Sequence, residues 1–276
     1  MESKKNTLIV VVVIAVALIF VTVLSIGALI LGHSGRGLSK GKTGGKVAVI
    51  RVEGVITGGR GSSGVLGGES GAGAERIIDM LEQFRRDDSV RSLVLRINSP
   101  GGSAAGSQEV YQEVNRCRKE GKKVTVSMGD VAASGGYYIA SAADRIYANP
   151  ATMTGSIGVI METADISGLL NKYNINLGAI KSGKHKDIGS PTRAMTPDEK
   201  ALLQGLINDV FDQFVTDVSI GRHMPKAAVR KIADGSVFTG RQAIKLGLVD
   251  KTGSMQDALR AAADDAGIKG DIQTVE

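Results

Sequence analysis

The chain of 276 residues has no tryptophan, and five tyrosines and five phenylalanines hold its aromatic share to 4%. A core without large rings must be filled by Val, Ile, Leu and Ala, which suits a buried, mostly parallel sheet covered by helices. The net charge of +6 is spread along the chain, with no basic stripe interleaved with stacking aromatics. It fits solubility or proximity to anionic lipid, and nucleic acid is not an expected partner. There is one cysteine, Cys117. A single thiol excludes an internal disulfide, and no strained turn presents Cys117, which lies among Arg116, Arg118 and Lys119 in an expected helix. The histidines His33, His185 and His223 are far apart, with no Cys or His pair at ligand spacing. No metal and no cofactor is expected.

Charge is absent altogether from Thr7 to Leu31. At about 1.5 Å per residue this run exceeds the roughly 30 Å hydrocarbon core of a bilayer. It is also too long for the apolar region of a cleaved signal peptide, and Ser25-Ile-Gly27 is a poor cleavage site. The expected organisation is a tail (1–6), a retained transmembrane anchor (7–32), a Gly/Ser/Lys tether (33–45), a folded domain (46–270) and a C-terminal tail (271–276). Lys4 and Lys5 precede the span, while Arg36, Lys40, Lys42 and Lys46 follow it. Charge counting leaves the topology open and leans against an external domain. Lys40-Gly-Lys-Thr43 imitates the end of a P-loop, but Arg36 stands where the pattern needs glycine.

Beyond the tether a strand is expected over 46–52. The glycine-dense stretch 54–73 follows, a mobile rim, a lid or a plain disordered loop. Helices at 74–86, 104–120, 136–143 and 166–173 then alternate with strands at 92–97, 123–127, 145–148, 157–160 and 177–180. Such alternation argues for an α/β fold. Thr196-Pro-Asp-Glu199 has the form of a helix start, with Thr as N-cap and Pro at the first helical position. Helices to about Arg222, over 225–233 and over 254–266 follow, with a short helix and strand within Thr239–Asp250.

The chemistry concentrates at two strand ends. Ser134 lies in Ala132-Ala-Ser-Gly-Gly136, where small neighbours admit a substrate backbone and the Gly135 N–H points where an oxyanion would form. The same pattern also describes a tight turn with Ser134 capping a helix. A second donor can come from Gly101 or Gly102 of Asn98-Ser-Pro-Gly-Gly-Ser103, and the residues alone do not choose between them. A serine needs a base. His223, near a helix end, reads as a surface residue; His185 is a live candidate with Asp187 nearby, although neighbours two apart in an extended loop do not easily form a triad's hydrogen bond. The alternative is a lysine from Lys181-Ser-Gly-Lys-His-Lys-Asp187, whose pKa must fall from about 10.4 to near neutrality, as burial can arrange.

The pieces Asn98–Ser103, Ala132–Tyr138, Thr154-Gly-Ser-Ile-Gly158, Ser182–Asp187 and Gly247-Leu-Val-Asp250, in this order, closely resemble the signal peptide peptidase A family of bacterial membrane serine proteases. The resemblance covers essentially the whole chain after the tether. It implies a crotonase/Clp-protease-like α/β fold, a mostly parallel sheet covered by helices and preceded by one N-terminal transmembrane helix. It assigns Ser134 as nucleophile, Lys186 as general base, Ser156 as the hydroxyl that orients the lysine, and Gly101 with Gly135 as oxyanion donors. It further implies an extracytoplasmic domain, signal-peptide remnants as substrates, and a ring-shaped homo-oligomer whose adjacent subunits share each site. The rival readings are a crotonase-like acyl-CoA enzyme, a non-enzymatic membrane scaffold, and a membrane protease that cuts one partner protein.

Overall fold

Alternation along the first strand decides what lies on each side of the sheet. In β1 (Lys46–Glu53), Ala48, Ile50 and Val52 enter the larger apolar cluster, while Val47 and Val49 enter a smaller one on the opposite side. The computed structural model describes residues 45–63 and 69–276; the tail and anchor, and the tether up to residue 44, lie outside the described residues. None of the described helices is long and apolar enough to cross a membrane.

Within the glycine-dense stretch, four two-residue strands occur: β2 (Ile56–Thr57), β3 (Ser62–Ser63), β4 (Glu69–Ser70) and β5 (Ala72–Gly73). β2 pairs in parallel with β5, and β3 antiparallel with β4. Helix α1 (Ala74–Arg86) then leads to β6 (Val90–Ser99), α2 (Ala104–Lys119), β7 (Lys123–Ala133), α3 (Gly135–Ser141), β8 (Arg145–Ala148) and β9 (Met153–Gly155). The remaining elements are α4 (Ser167–Lys172), α5 (Pro197–Gly221), α6 (Lys226–Ile232), β10 (Val237–Thr239), α7 (Gly240–Lys245), β11 (Lys251–Thr252), α8 (Met255–Asp265) and β12 (Thr274–Val275).

The main sheet runs β10-β9-β7-β6-β1-β12, with β8 and β11 branching from β7. Every pairing in it is parallel except β9 with β10. The branch arises because β7 is eleven residues long and changes neighbours. Thr125–Ser127 pair with β8, and Val131–Ala133 pair with β9. Helices α1, α2 and α3 contribute to the larger cluster, and α8 covers the other face through Leu259, Ala262 and Ala263. Gly247-Leu-Val-Asp250 acts as a clasp: Asp250 accepts the Ile146 N–H at 2.7 Å and pairs with Arg222 at 2.6 Å, and the Tyr137 hydroxyl donates to the Leu248 carbonyl at 2.9 Å.

Two expected strands do not form. Residues 157–160 and 177–180 are irregular, with Ile160, Leu177 and Ile180 exposed. A strand needs a neighbour to take its N–H and C=O groups. Ile157 is buried and its carbonyl accepts the Gly235 N–H at 3.2 Å, but no strand among the described residues pairs with the rest of either segment. The short strand expected before Asp250 falls instead at β11. β9, β10 and β12, two or three residues each, were too short to leave a periodic signal. The helix start at Thr196 forms as a full capping box with Glu199.

The α1–α2 contact holds an ion pair of nearly buried groups. Arg85 donates to Glu113 at 2.9 Å, and the Glu113 side chain is 2% exposed. Arg85→Ala leaves this carboxylate with the exposed Arg116 alone. The expected loss is about 3 kcal/mol, read by urea unfolding with the slope unchanged.

Candidate active site

Ser134 follows the last residue of β7 and stands at the N-cap of α3, with φ 52° and ψ −121°. For a residue bearing a β-carbon this conformation costs about 1–3 kcal/mol, so the surroundings must hold it. Its N–H donates to the Gly155 carbonyl at 2.9 Å, its carbonyl accepts the Tyr138 N–H at 2.9 Å, and all of α3 is buried. A serine forced into such a strand-to-helix turn presents its hydroxyl at the strand end, beside the first N–H of the helix.

The glycines around it are a packing requirement. A β-carbon on Gly135 would lie 2.3 Å from Ser107 Oγ, and one on Gly136 would lie 2.9 Å from the Ser99 carbonyl. Gly101, at φ 101°, packs directly on the turn: a β-carbon there would lie 2.7 Å from the Gly135 nitrogen and 2.8 Å from Ser134 Cβ. The structure thus brings Gly101, Ser134 and Gly135 together. The Gly101 N–H donates to Ser99 Oγ at 3.1 Å. Gly102 is gripped from the other side by β2, where the Ile56 N–H donates to the Gly101 carbonyl at 2.9 Å and the Ser103 N–H to the Ile56 carbonyl at 2.8 Å. Ser103 then caps α2 by accepting the Gly106 N–H.

Ser156 joins the same place. It follows Gly155, the residue that accepts the Ser134 N–H, has φ 50°, and donates its own N–H to the Ser236 carbonyl at 2.7 Å. The pairing of β9 with β10 holds it there. Lys186 stands apart. It is exposed in the loop before α5, and its ammonium makes no hydrogen bond or ion pair among the described residues. Its neighbours are paired: Lys181 with Asp187 at 2.5 Å, Lys184 with Asp198 at 2.8 Å, and Arg193 with Asp187 at 2.8 Å and with Glu199 at 2.6 Å. Arg193 and then Lys181 hold the Asp187 carboxyl well below the usual range, and Arg193 with the Thr196 N–H lowers Glu199 to about 2.

The triad alternative has no geometric basis here. Asp187 is taken by Arg193 and Lys181, and His185 Nδ1 has no hydrogen-bond partner among the described residues. Cys117 is buried, and burial pushes its thiol up to about 12, far from a reactive thiolate. No group of three His, Cys, Asp or Glu side chains suited to a metal occurs among the described residues.

Sequence reasoning missed four supporting residues. Ser99 holds the Gly101 N–H, and Ser107 fills the space beside Gly135. Asn98 Oδ1 accepts the N–H groups of Asp130 and Val131, and Thr154 Oγ1 donates to the Ala132 carbonyl at 2.6 Å. Asn98 and Ser99 lie in the Asn98–Ser103 motif; Ser107, one serine inside a helix, carries no local signal.

Residues 116–269 match the family described as Peptidase family S49, and residues 66–157 match Clp protease. Among similar proteins, a candidate protease of Synechocystis sp. is 44% identical over 188 residues, 67% of this chain and 68% of that protein. A candidate signal peptide peptidase of Enterococcus faecium is 36% identical over 222 residues, 80% of this chain and 64% of the other. Protease 4 of Salmonella typhi is 37% identical over 227 residues, 82% of this chain but 36% of its own length. Among solved structures, a mutant of a membrane-bound stomatin-specific protease with a substrate peptide superposes with a TM-score of 0.51 at 16% identity, over 80% of this chain and 81% of that one. That likeness is one of fold.

Two outcomes test this geometry. Gly135 has no positive φ, so an alanine there is excluded by contact with Ser107 alone. Gly135→Ala is expected to lose most activity, and Ser107→Ala in the same chain to restore part of it. Parallel assays of both variants check this, and no recovery would place the obstacle elsewhere. Glu199 has its folded pKa depressed from 4.5 to about 2. Its contribution to the α5 start is therefore complete above about pH 4.5 and lost as the pH falls toward 2. Protection of the first-turn amides of α5, measured as exchange relative to the intrinsic rate at each pH, should fall across that window, and unchanged protection would contradict it.

Proposed function

The chain belongs to peptidase family S49 and is a serine protease, and from that premise we propose a membrane-anchored endopeptidase that uses Ser134 as nucleophile and Lys186 as base. Neutral Lys186 takes the hydroxyl proton as Ser134 Oγ attacks the scissile carbonyl. The N–H groups of Gly135 and Gly101 receive the developing oxyanion, the latter in place of its contact with Ser99. Lys186 returns the proton to the leaving amine, and water then cleaves the acyl-enzyme by the same route. Ser156, beside the nucleophile turn, orients the lysine. The observation that carries the reading is the left-handed turn at Ser134 with Gly101 packed against it.

Lys186 reaches Ser134 of an adjacent subunit rather than its own. In support, the segment bearing it exposes Ile160, Leu169, Tyr173, Leu177 and Ile180, with Ile180 fully bare. A run of such side chains marks an interface. Assembly into a closed ring covers them, offers 157–160 and 177–180 a strand partner, and removes Lys186 from water, which lowers its pKa. The substrates are apolar peptides, signal-peptide remnants foremost, as the name of the Enterococcus faecium relative suggests. The apolar run 7–32 holds the domain at the bilayer that contains them, on the extracytoplasmic side.

Ser134→Ala and Lys186→Ala should each abolish cleavage of a signal-peptide-like substrate, and His185→Ala should leave it. Mixing the two inactive variants before assembly should restore about a quarter of wild-type activity, because each site then draws its serine and its lysine independently from half-intact pools. A dead mixture would sink the shared site, and a dead His185→Ala enzyme would replace the base.

A further inference from the structure

The loop that carries Lys186 has almost no core of its own. No described residue between 158 and 198 is buried, so apolar packing within this chain does not give the loop its shape. Ion pairs take that place. Arg193 donates to Asp187 through Nε to Oδ2 at 2.9 Å and through one terminal nitrogen to Oδ1 at 2.8 Å. Its guanidinium also reaches both oxygens of Glu199, at 2.6 and 2.8 Å. Glu199 is 3% exposed at its side chain and accepts the Thr196 N–H at 3.0 Å as part of the α5 cap. The residue next to Lys186 is thereby bolted to the first turn of a 25-residue helix.

The same contacts divide the carboxylates among the cations. The titratable and charged residues of this loop are Lys181, Lys184, His185, Asp187 and Arg193, and those at the start of α5 are Asp198, Glu199 and Lys200. Asp187 is held by Arg193 and Lys181, Glu199 by Arg193, and Asp198 by Lys184. Of the three lysines in this loop, Lys186 alone makes no ion pair among the described residues. A carboxylate at an ammonium stabilises the charged form and raises its pKa, which would disable a base that must be neutral to act.

We infer that Arg193 is a positioning residue for the base: by clamping Asp187 to Glu199 it fixes the loop and keeps the adjacent carboxylate away from Lys186. The inference rests on the reading of Lys186 as general base. A lysine at 193 cannot substitute, since an ammonium lacks the planar fork that meets two carboxylates at once.

The test is kcat/KM against pH for the full chain on a signal-peptide-like substrate. Arg193→Gln unties Asp187 from Glu199 and leaves it to Lys181 alone, so that the carboxylate can approach Lys186, and the rising acidic limb should move up by about one unit, with a loss of about tenfold at pH values below the limb. Adding Asp187→Asn should bring the limb back toward the wild-type position, because the freed charge is gone. A limb unmoved by Arg193→Gln, or unmoved again by the second change, overturns the inference: the arginine then only shapes the loop. If Arg193→Gln does not fold, Arg193→Lys must shift the limb in the same direction by less, and an unshifted limb overturns the inference equally. Retained activity in Lys186→Ala would instead remove the base reading, and only through it this inference.

Discussion

The rest of the site depends on the change of neighbours along β7. Its first half lies between β6 and β8, and its last three residues lie between β6 and β9. That fork brings Gly155 under the end of the strand, where its carbonyl takes the Ser134 N–H. A serine at φ 52° would relax into an ordinary turn unless both ends of its backbone were fixed. The strand fixes one end and the buried helix α3 fixes the other. The strain is local, and the burial that opposes it extends through the sheet.

The scarcity of aromatics becomes intelligible at this point. The site is built from backbone laid on backbone, with Gly101 against Ser134, Gly102 against Ile56 and Gly136 against the Ser99 carbonyl. Each contact leaves less room than a β-carbon needs. Larger side chains are kept to the far side of α3, where Tyr138 stacks on Phe214 with ring centroids 4.5 Å apart and Tyr111 lies against Tyr138. Small residues on the other side let the strand end approach the Asn98–Ser103 loop.

What could be read from the sequence follows from this distribution. The strands with apolar runs and the helices with clear caps were legible, because each carries its own periodic or terminal signal. The Ala132–Gly136 and Asn98–Ser103 turns were legible because their glycines and small residues stand at the end of an apolar strand run and at the start of a helix. Residues 157–160 and 177–180 misled because their apolar pattern describes a strand, whereas Ile157 alone of the apolar side chains there is buried and Ile160, Leu177 and Ile180 are exposed. Ser107 was invisible for the opposite reason: its effect is on a residue 28 positions away, through space. The lysine loop stood between these cases. Its basic character was plain, but the assignment of Asp187 to Arg193 and of Asp198 to Lys184 depends on geometry that no spacing rule conveys.

Ser134 and Lys186, the proposed nucleophile and base, are held by different physics. Ser134 is held by buried backbone contacts that salt and pH in the neutral range do not disturb. Lys186 is carried by a segment whose internal order is mostly electrostatic, and exposed ion pairs weaken with ionic strength. The network around Arg193 is the exception, because Glu199 is nearly inaccessible and its oxygens meet a planar guanidinium and the cap of α5. In the proposed assembly, an arm ordered in this way has little conformational freedom left to lose when Ile160 and Ile180 are covered. The cost of that proposed assembly then falls on desolvating Lys186, the step that would turn a surface lysine into the proposed base.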